Sequence, residues 1–183
     1  MPIRSIIRKY LARKLRVPEI PFALELLQSN GFEPNRIFDV GAYKGEFAEL
    51  CLNIWPKTQV ACFEALEDKV SQLEQLASQN KAISVFPGLL GAESREQVPL
   101  HMRETASSVL LEHISQDFPV QLTRMRTIDQ IVQENFNGQA PDFLKIDVQG
   151  YELEVLKGAE KSLPQIQVIL AEINFLDIHQ NVP

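Results

Sequence analysis

Cysteine, histidine and long apolar runs are all scarce in this sequence, and each shortage removes a class of function. Only Cys51 and Cys62 are present. Each falls inside a predicted helix or strand, as reduced core residues do, which suits a cytoplasmic protein rather than a disulfide scaffold. The three histidines, His101, His113 and His179, are scattered, and no Cys/His cluster has zinc-ligand spacing. No stretch approaches the roughly 18 uninterrupted apolar residues that cross a bilayer. The N-terminus lacks the apolar core of about 7–15 residues and the cleavage site of a secretory signal.

Acidic residues are absent from residues 1–18, which carry Arg4, Arg8, Lys9, Arg13, Lys14 and Arg16. All 24 acids therefore fall in the rest of the chain, where they outnumber the basic residues two to one. A body that acidic is a poor general binder of nucleic acid. In the leader, Ile3, Ile6, Ile7, Tyr10, Leu11 and Leu15 recur at helical spacing opposite the basic positions, so an amphipathic helix is expected. Residues 1–20 read as a basic helix or leader and 21–183 as one well-cored domain. The leader either packs on the acidic body or makes weak contact through residues 1–16 with a membrane surface or a partner.

After Pro21 the pattern alternates helix and strand. A helix from Phe22 to Asn30 stops at Gly31, placed as a C′ residue. Strands are expected at Arg36–Val40, Gln59–Glu64, Ile83–Phe86, Phe143–Val148 and Gln167–Ile173, nearly all apolar. Between them, Glu46–Trp55 repeats apolar residues at Phe47, Leu50, Cys51 and Ile54, and a second helix runs through Val70, Leu73 and Ala77. Thr127 and Gln130 form a capping-box pair ahead of Ile131 and Val132. A further helix is expected over Glu152–Lys161. Between Gly88 and Arg126 the polar alternation predicts one or two extra strands and a long loop. The whole reads as an α/β fold with a doubly wound, mostly parallel sheet buried on both faces.

In such a sheet, ligands bind outside the carboxyl ends of the strands, where the strand order reverses. Four of the five expected strands end at or beside an acid: Asp39, Glu64, Asp147 and Glu172. A hydrophobic core has no need of carboxylates there, and their desolvation is costly unless something pairs with them. Gly41 and Gly45 remove side chains where strand turns into helix, which offers backbone N–H groups to a ligand. Glu64 follows Gly45 by 19 residues, at the end of the adjacent strand. A carboxylate there can accept hydrogen bonds from both hydroxyls of a ribose. The loop is neither Gly-x-Gly-x-x-Gly nor Gly-x4-Gly-Lys-Ser/Thr, which disfavours an NAD site and a P-loop.

Asp39-Val-Gly-Ala-Tyr-Lys-Gly45, Phe63-Glu64, Arg126-Thr-Ile-Asp129, the block from Leu144 to Ala159 and Ala171-Glu172 together resemble the FkbM family. These are class I S-adenosylmethionine-dependent methyltransferases with a Rossmann-like sheet, many acting on hydroxyl groups of sugars or polyketides. The resemblance runs from about Arg36 to Glu172. It implies S-adenosyl-L-methionine as cofactor and a small hydroxylated molecule as acceptor. It further implies that Asp39, Gly41 and Gly45, with Ala42 in the same loop, line the methionine half. Glu64 would hold the ribose, and Gly88 and Leu89 would flank the adenine. No Asn/Asp-Pro-Pro-Tyr/Phe follows the fourth strand, which argues against methylation of base amino groups.

Asp147, at the end of the fourth strand, is the leading catalytic candidate: it would orient or deprotonate an acceptor hydroxyl, or contact the cofactor. Two other readings stay open, a helix cap near Gly150-Tyr151 and a divalent cation shared with Glu172 and Asn174. His113 is a second candidate base, with His101 behind it, and Ser107-Ser108 could make polar contacts. Lys145 reads as structural or charge-pairing, pointing away from the neighbours of Asp147. The chain stops ten residues past Ile173, so the last strands of a class I sheet are expected to be missing. An edge left open in that way would favour an oligomer. A non-catalytic, truncated cofactor-binding remnant acting as a scaffold is the alternative function.

Overall fold

The computed structural model describes residues 19–101 and 120–172. The expected N-terminal helix and the residues His113, Ser107, Ser108 and Asn174 lie outside them. Eight strands and five α-helices follow one another in the described residues: α1 (Ile20–Ser29), β1 (Arg36–Val40), α2 (Glu46–Ile54), β2 (Gln59–Glu64), α3 (Glu67–Gln79), β3 (Ile83–Pro87), β4 (Leu89–Leu90), β5 (Arg95–His101), β6 (Val120–Arg126), α4 (Ile128–Asn135), β7 (Phe143–Ile146), α5 (Glu152–Lys157) and β8 (Val168–Ala171).

Five strands form one sheet in the order β3-β2-β1-β7-β8, with every pairing parallel. The chain moves outward from β1 to β3, then returns to the other side of β1 with β7. The strand order therefore reverses between β1 and β7, and a crevice opens at their carboxyl ends. Alternation along β1 supplies both cores. Ile37 faces one side with Cys62 and Phe143, beneath Leu24 of α1, Cys51 of α2 and Leu73 of α3. Phe38 and Val40 face the other side with Leu144 and Ile146, beneath Ile131 of α4 and Val155 of α5. Helices on both faces explain why these strands read as nearly continuous apolar runs.

Local signals act where the sequence places them. Gly31 has φ +88°, and the N–H groups of Gly31 and Phe32 donate to the carbonyls of Gln28 and Leu27, a Schellman closure of α1. The Thr127 side chain accepts from the Gln130 N–H and the Gln130 side chain accepts from the Thr127 N–H, so the capping box is complete.

Beyond shifts of one or two residues at other element ends, the structure departs from the sequence reading in three places. α5 ends at Lys157 rather than Lys161, because Gly158 packs against the chain: a Cβ there would lie 2.0 Å from the Gly91 carbonyl oxygen. The Asp129 carboxylate then accepts the N–H groups of Lys161 and Ser162 and holds them in a turn. β7 ends at Ile146, two residues early, because the chain bends into the site. The middle region holds three strands rather than one or two. β4, β6 and β5 form a small second sheet, and β4 at two residues is too short to leave a periodicity. Among the described residues, β8 pairs with β7 alone. No helix among them is long and apolar enough to cross a membrane.

Candidate functional site

A cavity of about 390 Å3 lies at the carboxyl ends of β1, β2 and β7, within the roughly 300–1,000 Å3 usual for small-molecule sites. Of the residues singled out from the sequence, Gly41, Ala42, Glu64, Gly88, Leu89, Lys145 and Asp147 line it. Asp39 and Gly45 do not line it and act from behind the wall.

Gly41 has φ +75°, and a Cβ on it would lie 1.9 Å from the carbonyl oxygen of Asp147. Any side chain would force the loop after β1 away from the loop after β7, and the crevice exists because these two backbones touch. Gly45 has φ +86° and serves as N-cap of α2. The backbone N–H groups expected to meet a ligand have other partners. Those of Gly41 and Ala42 donate to the Phe63 carbonyl at 3.0 Å, and that of Gly45 donates to the Ala42 carbonyl. The loop is thus folded on itself, and the polar groups it turns toward the cavity come from neighbouring side chains.

Glu64 closes β2 and is buried. Its Oε2 accepts the Tyr43 N–H at 2.8 Å, and its Oε1 accepts the N–H groups of Ala65 and Leu66. A carboxylate has about four acceptor positions, so these three bonds fix its orientation and leave acceptor capacity toward the cavity. Burial pushes the Glu64 carboxyl above its usual range, against the pull of the three backbone donors.

Lys145 ties the acids together. Its Nζ donates to the Gly41 carbonyl at 2.8 Å and lies 3.0 Å from Asp39 Oδ1 and 3.5 Å from Asp147 Oδ2. Asp39 and Lys145 are direct partners in the β1–β7 register. Asp39 is fully buried, and the Lys145 ammonium is what holds it. Burial raises the Asp39 carboxyl, against the pull of Lys145. For Lys145 burial works to lower the ammonium, but the charges of Asp39 and Asp147 outweigh it and hold the group above its ordinary value. The structure thus corrects the reading that Lys145 points away from the neighbours of Asp147. Side chains two apart on a strand share a face, so positions 145 and 147 meet.

Asp147 does not cap a helix. α5 has Tyr151 as N-cap with no side-chain cap bond, and it is Glu152 whose Oε1 accepts the N–H groups of Val148 and Gly150 at 3.1 Å. Asp147 instead accepts from Gln149 Nε2 at 3.0 Å through Oδ1, and the same Nε2 donates to Glu172 Oε2 at 3.0 Å. Burial works to raise Asp147, but its hydrogen bond with Glu172 and the Lys145 charge prevail and hold it below the usual range. Among the described residues no three of His, Cys, Asp and Glu gather as a set able to hold a metal. Gln149 and Tyr151 also line the cavity, and the sequence reading assigned neither to the site. Gln149 sits at φ +55°, a conformation no residue pattern announces for a glutamine.

A cavity bearing Glu46, Glu64 and Asp147 at the switch point of a doubly wound sheet defines an α/β protein with a ligand site of the kind such sheets carry there. Comparison with known proteins narrows that class. The Methyltransferase FkbM domain matches residues 39–182, and the chain belongs to that family. The chain is 26% identical over 166 residues to the hexuronic acid methyltransferase AglP of Haloferax volcanii, covering 82% of this chain and 61% of that protein. It resembles in fold the methyltransferase FkbM of Methylobacillus flagellatus KT, with a TM-score of 0.50 and 23% identity, over 70% of this chain and 30% of that one. The chain thus spans less than two thirds of the length of either relative.

Proposed function

We propose that this chain is an S-adenosylmethionine-dependent methyltransferase that transfers methyl to a hydroxyl group of a sugar-like small molecule. The observation that carries the reading is the cavity itself: the residues the family resemblance assigns to the cofactor at the ends of three different strands, Gly41, Glu64 and Gly88, open onto one space. Family membership supports the reaction type, and the hexuronic acid methyltransferase supports a sugar as acceptor.

The walls suit such a cofactor. Glu64 presents an oriented carboxylate for the ribose hydroxyls, and the apolar side chains of Phe63, Leu89 and Leu90 offer a surface for a base. Among the described residues, Glu46, Glu64 and Asp147 outnumber the one cavity-lining cation, Lys145, which suits a positively charged sulfonium. When bound, the cofactor supplies an electrophilic methyl group. The residues of the chain supply alignment, which dominates the rate of a displacement of this kind. Gly41 keeps the two loops in contact, Lys145 fixes Asp147, and Asp147 orients the acceptor hydroxyl at the cavity wall.

Incubation with methyl-labelled cofactor and a panel of hexoses, hexuronic acids and polyketide-like alcohols tests the reading. Label should appear on an oxygen of at least one acceptor. Cofactor binding with no transfer to any member of the panel would instead favour a non-catalytic cofactor-binding role.

A further inference from the structure

Among the described residues, three other than glycine hold a positive φ: Tyr43, Asn137 and Gln149. Asparagine tolerates that conformation, and Asn137 sits in a turn with Gly138. Tyr43 and Gln149 both line the cavity, and strained backbone of this kind collects at functional sites. At Tyr43 the backbone itself is used, since its N–H donates to Glu64. Gln149 needs another reason. Glycine would hold φ +55° without strain, as Gly150 beside it holds φ +97°. What a glutamine supplies there, and glycine cannot, is its side chain.

That side chain closes a clamp on Asp147. Gln149 Nε2 donates to Asp147 Oδ1 at 3.0 Å, while the Lys145 ammonium lies 3.5 Å from Asp147 Oδ2. The carboxylate is gripped from both sides, and the Gln149 contact is the shorter. The same Nε2 donates to Glu172 Oε2 at 3.0 Å, which anchors the amide to the chain at the end of β8. Glu152 holds the backbone beneath it, one oxygen accepting the N–H groups of Val148 and Gly150 on either side of Gln149. The Asp147 side chain is 38% exposed, so it has room to turn once the amide is gone. Gln149 follows β7 and therefore stands across β1 from Glu64 on β2, away from the end of the cavity assigned to the ribose.

We propose that Gln149 is a positioning residue for the acceptor: its amide, held in the cavity wall by a strained backbone, fixes the Asp147 carboxylate in the orientation that aligns the acceptor hydroxyl. This rests on the O-methylation reading above, in which Asp147 faces the acceptor. An in-line displacement depends on alignment, and a misplacement of about 1 Å can cost about 100-fold in rate. The strain at Gln149 is then the cost of holding one amide at one carboxylate.

The test compares Gln149→Ala with Gln149→Gly in the intact chain. Both lack the amide, but only glycine relieves the backbone, so Gln149→Gly should melt about 2–4 °C above Gln149→Ala. With methyl-labelled S-adenosylmethionine and glucose or glucuronic acid, both variants should nonetheless lose the same factor in transfer rate, about 10–100-fold. S-adenosylhomocysteine affinity should stay within about threefold of the parent in each, because the ribose end of the cavity is untouched. A residue that served stability alone would let activity follow the melting temperature. On an Asp147→Ala background, adding Gln149→Ala should cost less than about threefold more, because the amide acts through that carboxylate. Gln149→Gly retaining more than about a third of the parent rate, or Gln149→Ala costing as much on the Asp147→Ala background as alone, would overturn the proposal. If the intact chain binds no S-adenosylhomocysteine, or transfers methyl to neither sugar, the O-methylation reading beneath it fails instead.

Discussion

Lys145 and Asp39 face each other across β1 and β7 with Nζ and Oδ1 3.0 Å apart, the carboxylate fully buried. The same ammonium reaches the Gly41 carbonyl, so one side chain joins both strands and the loop that shapes the cavity. Removing one partner of a buried pair leaves the other charge uncompensated, at a cost of roughly 3–5 kcal/mol. Lys145→Met should therefore lower the unfolding free energy by that order in urea denaturation, while Lys157→Met, whose ammonium is exposed, should change it by under about 1 kcal/mol.

Gly41→Ala should damage fold and cavity together. The added methyl meets the Asp147 carbonyl oxygen at 1.9 Å, and the site holds φ +75°. Strain of this kind costs about 1–3 kcal/mol before any clash is relieved. A fall of at least about 2 kcal/mol in stability, with S-adenosylhomocysteine affinity reduced more than tenfold, is expected by denaturation and calorimetry. Gly138→Ala, also at positive φ but meeting only the Gln133 side chain at an ordinary contact distance of 3.6 Å, should cost stability alone.

The carboxyl pair at the ends of β7 and β8 predicts a pH dependence of stability with a definite sign. Glu172 titrates at about 7 when folded and 4.5 in its ordinary state, so the folded form holds its proton more tightly. That contribution is complete below pH 4.5 and is lost as pH rises to about 7. Asp147 is shifted down, so its contribution is present above its ordinary 3.8 and is lost as pH falls below that. Denaturation across pH 3–8 should show both trends, flattened because Glu172 is largely exposed, and Glu172→Gln should remove the decline toward neutrality.

Much of the fold was legible because burial on both faces leaves its mark on every strand. The five parallel strands, the capping box at Thr127 and the stop at Gly31 all follow from period and local chemistry. β4 was not legible, since two residues carry no period. The charge-pairing expected of Lys145 is observed, and its direction could have been read as well, because positions two apart on a strand share a face and Asp39 lies on the expected neighbour. The strand-end acids Glu64 and Asp147 reach the cavity as expected. The engagement of the loop N–H groups with Phe63 and Glu64 depends on how two loops meet, as does the Gln149 bridge. Nothing in their local sequence specifies that meeting.

Calorimetric titration of the intact chain with S-adenosylhomocysteine tests the central claim most directly. A single site with micromolar affinity is expected, lost in Glu64→Ala even where circular dichroism shows the fold retained. An absence of binding heat and of thermal stabilisation in the intact protein, or an unchanged affinity in Glu64→Ala, would contradict the account.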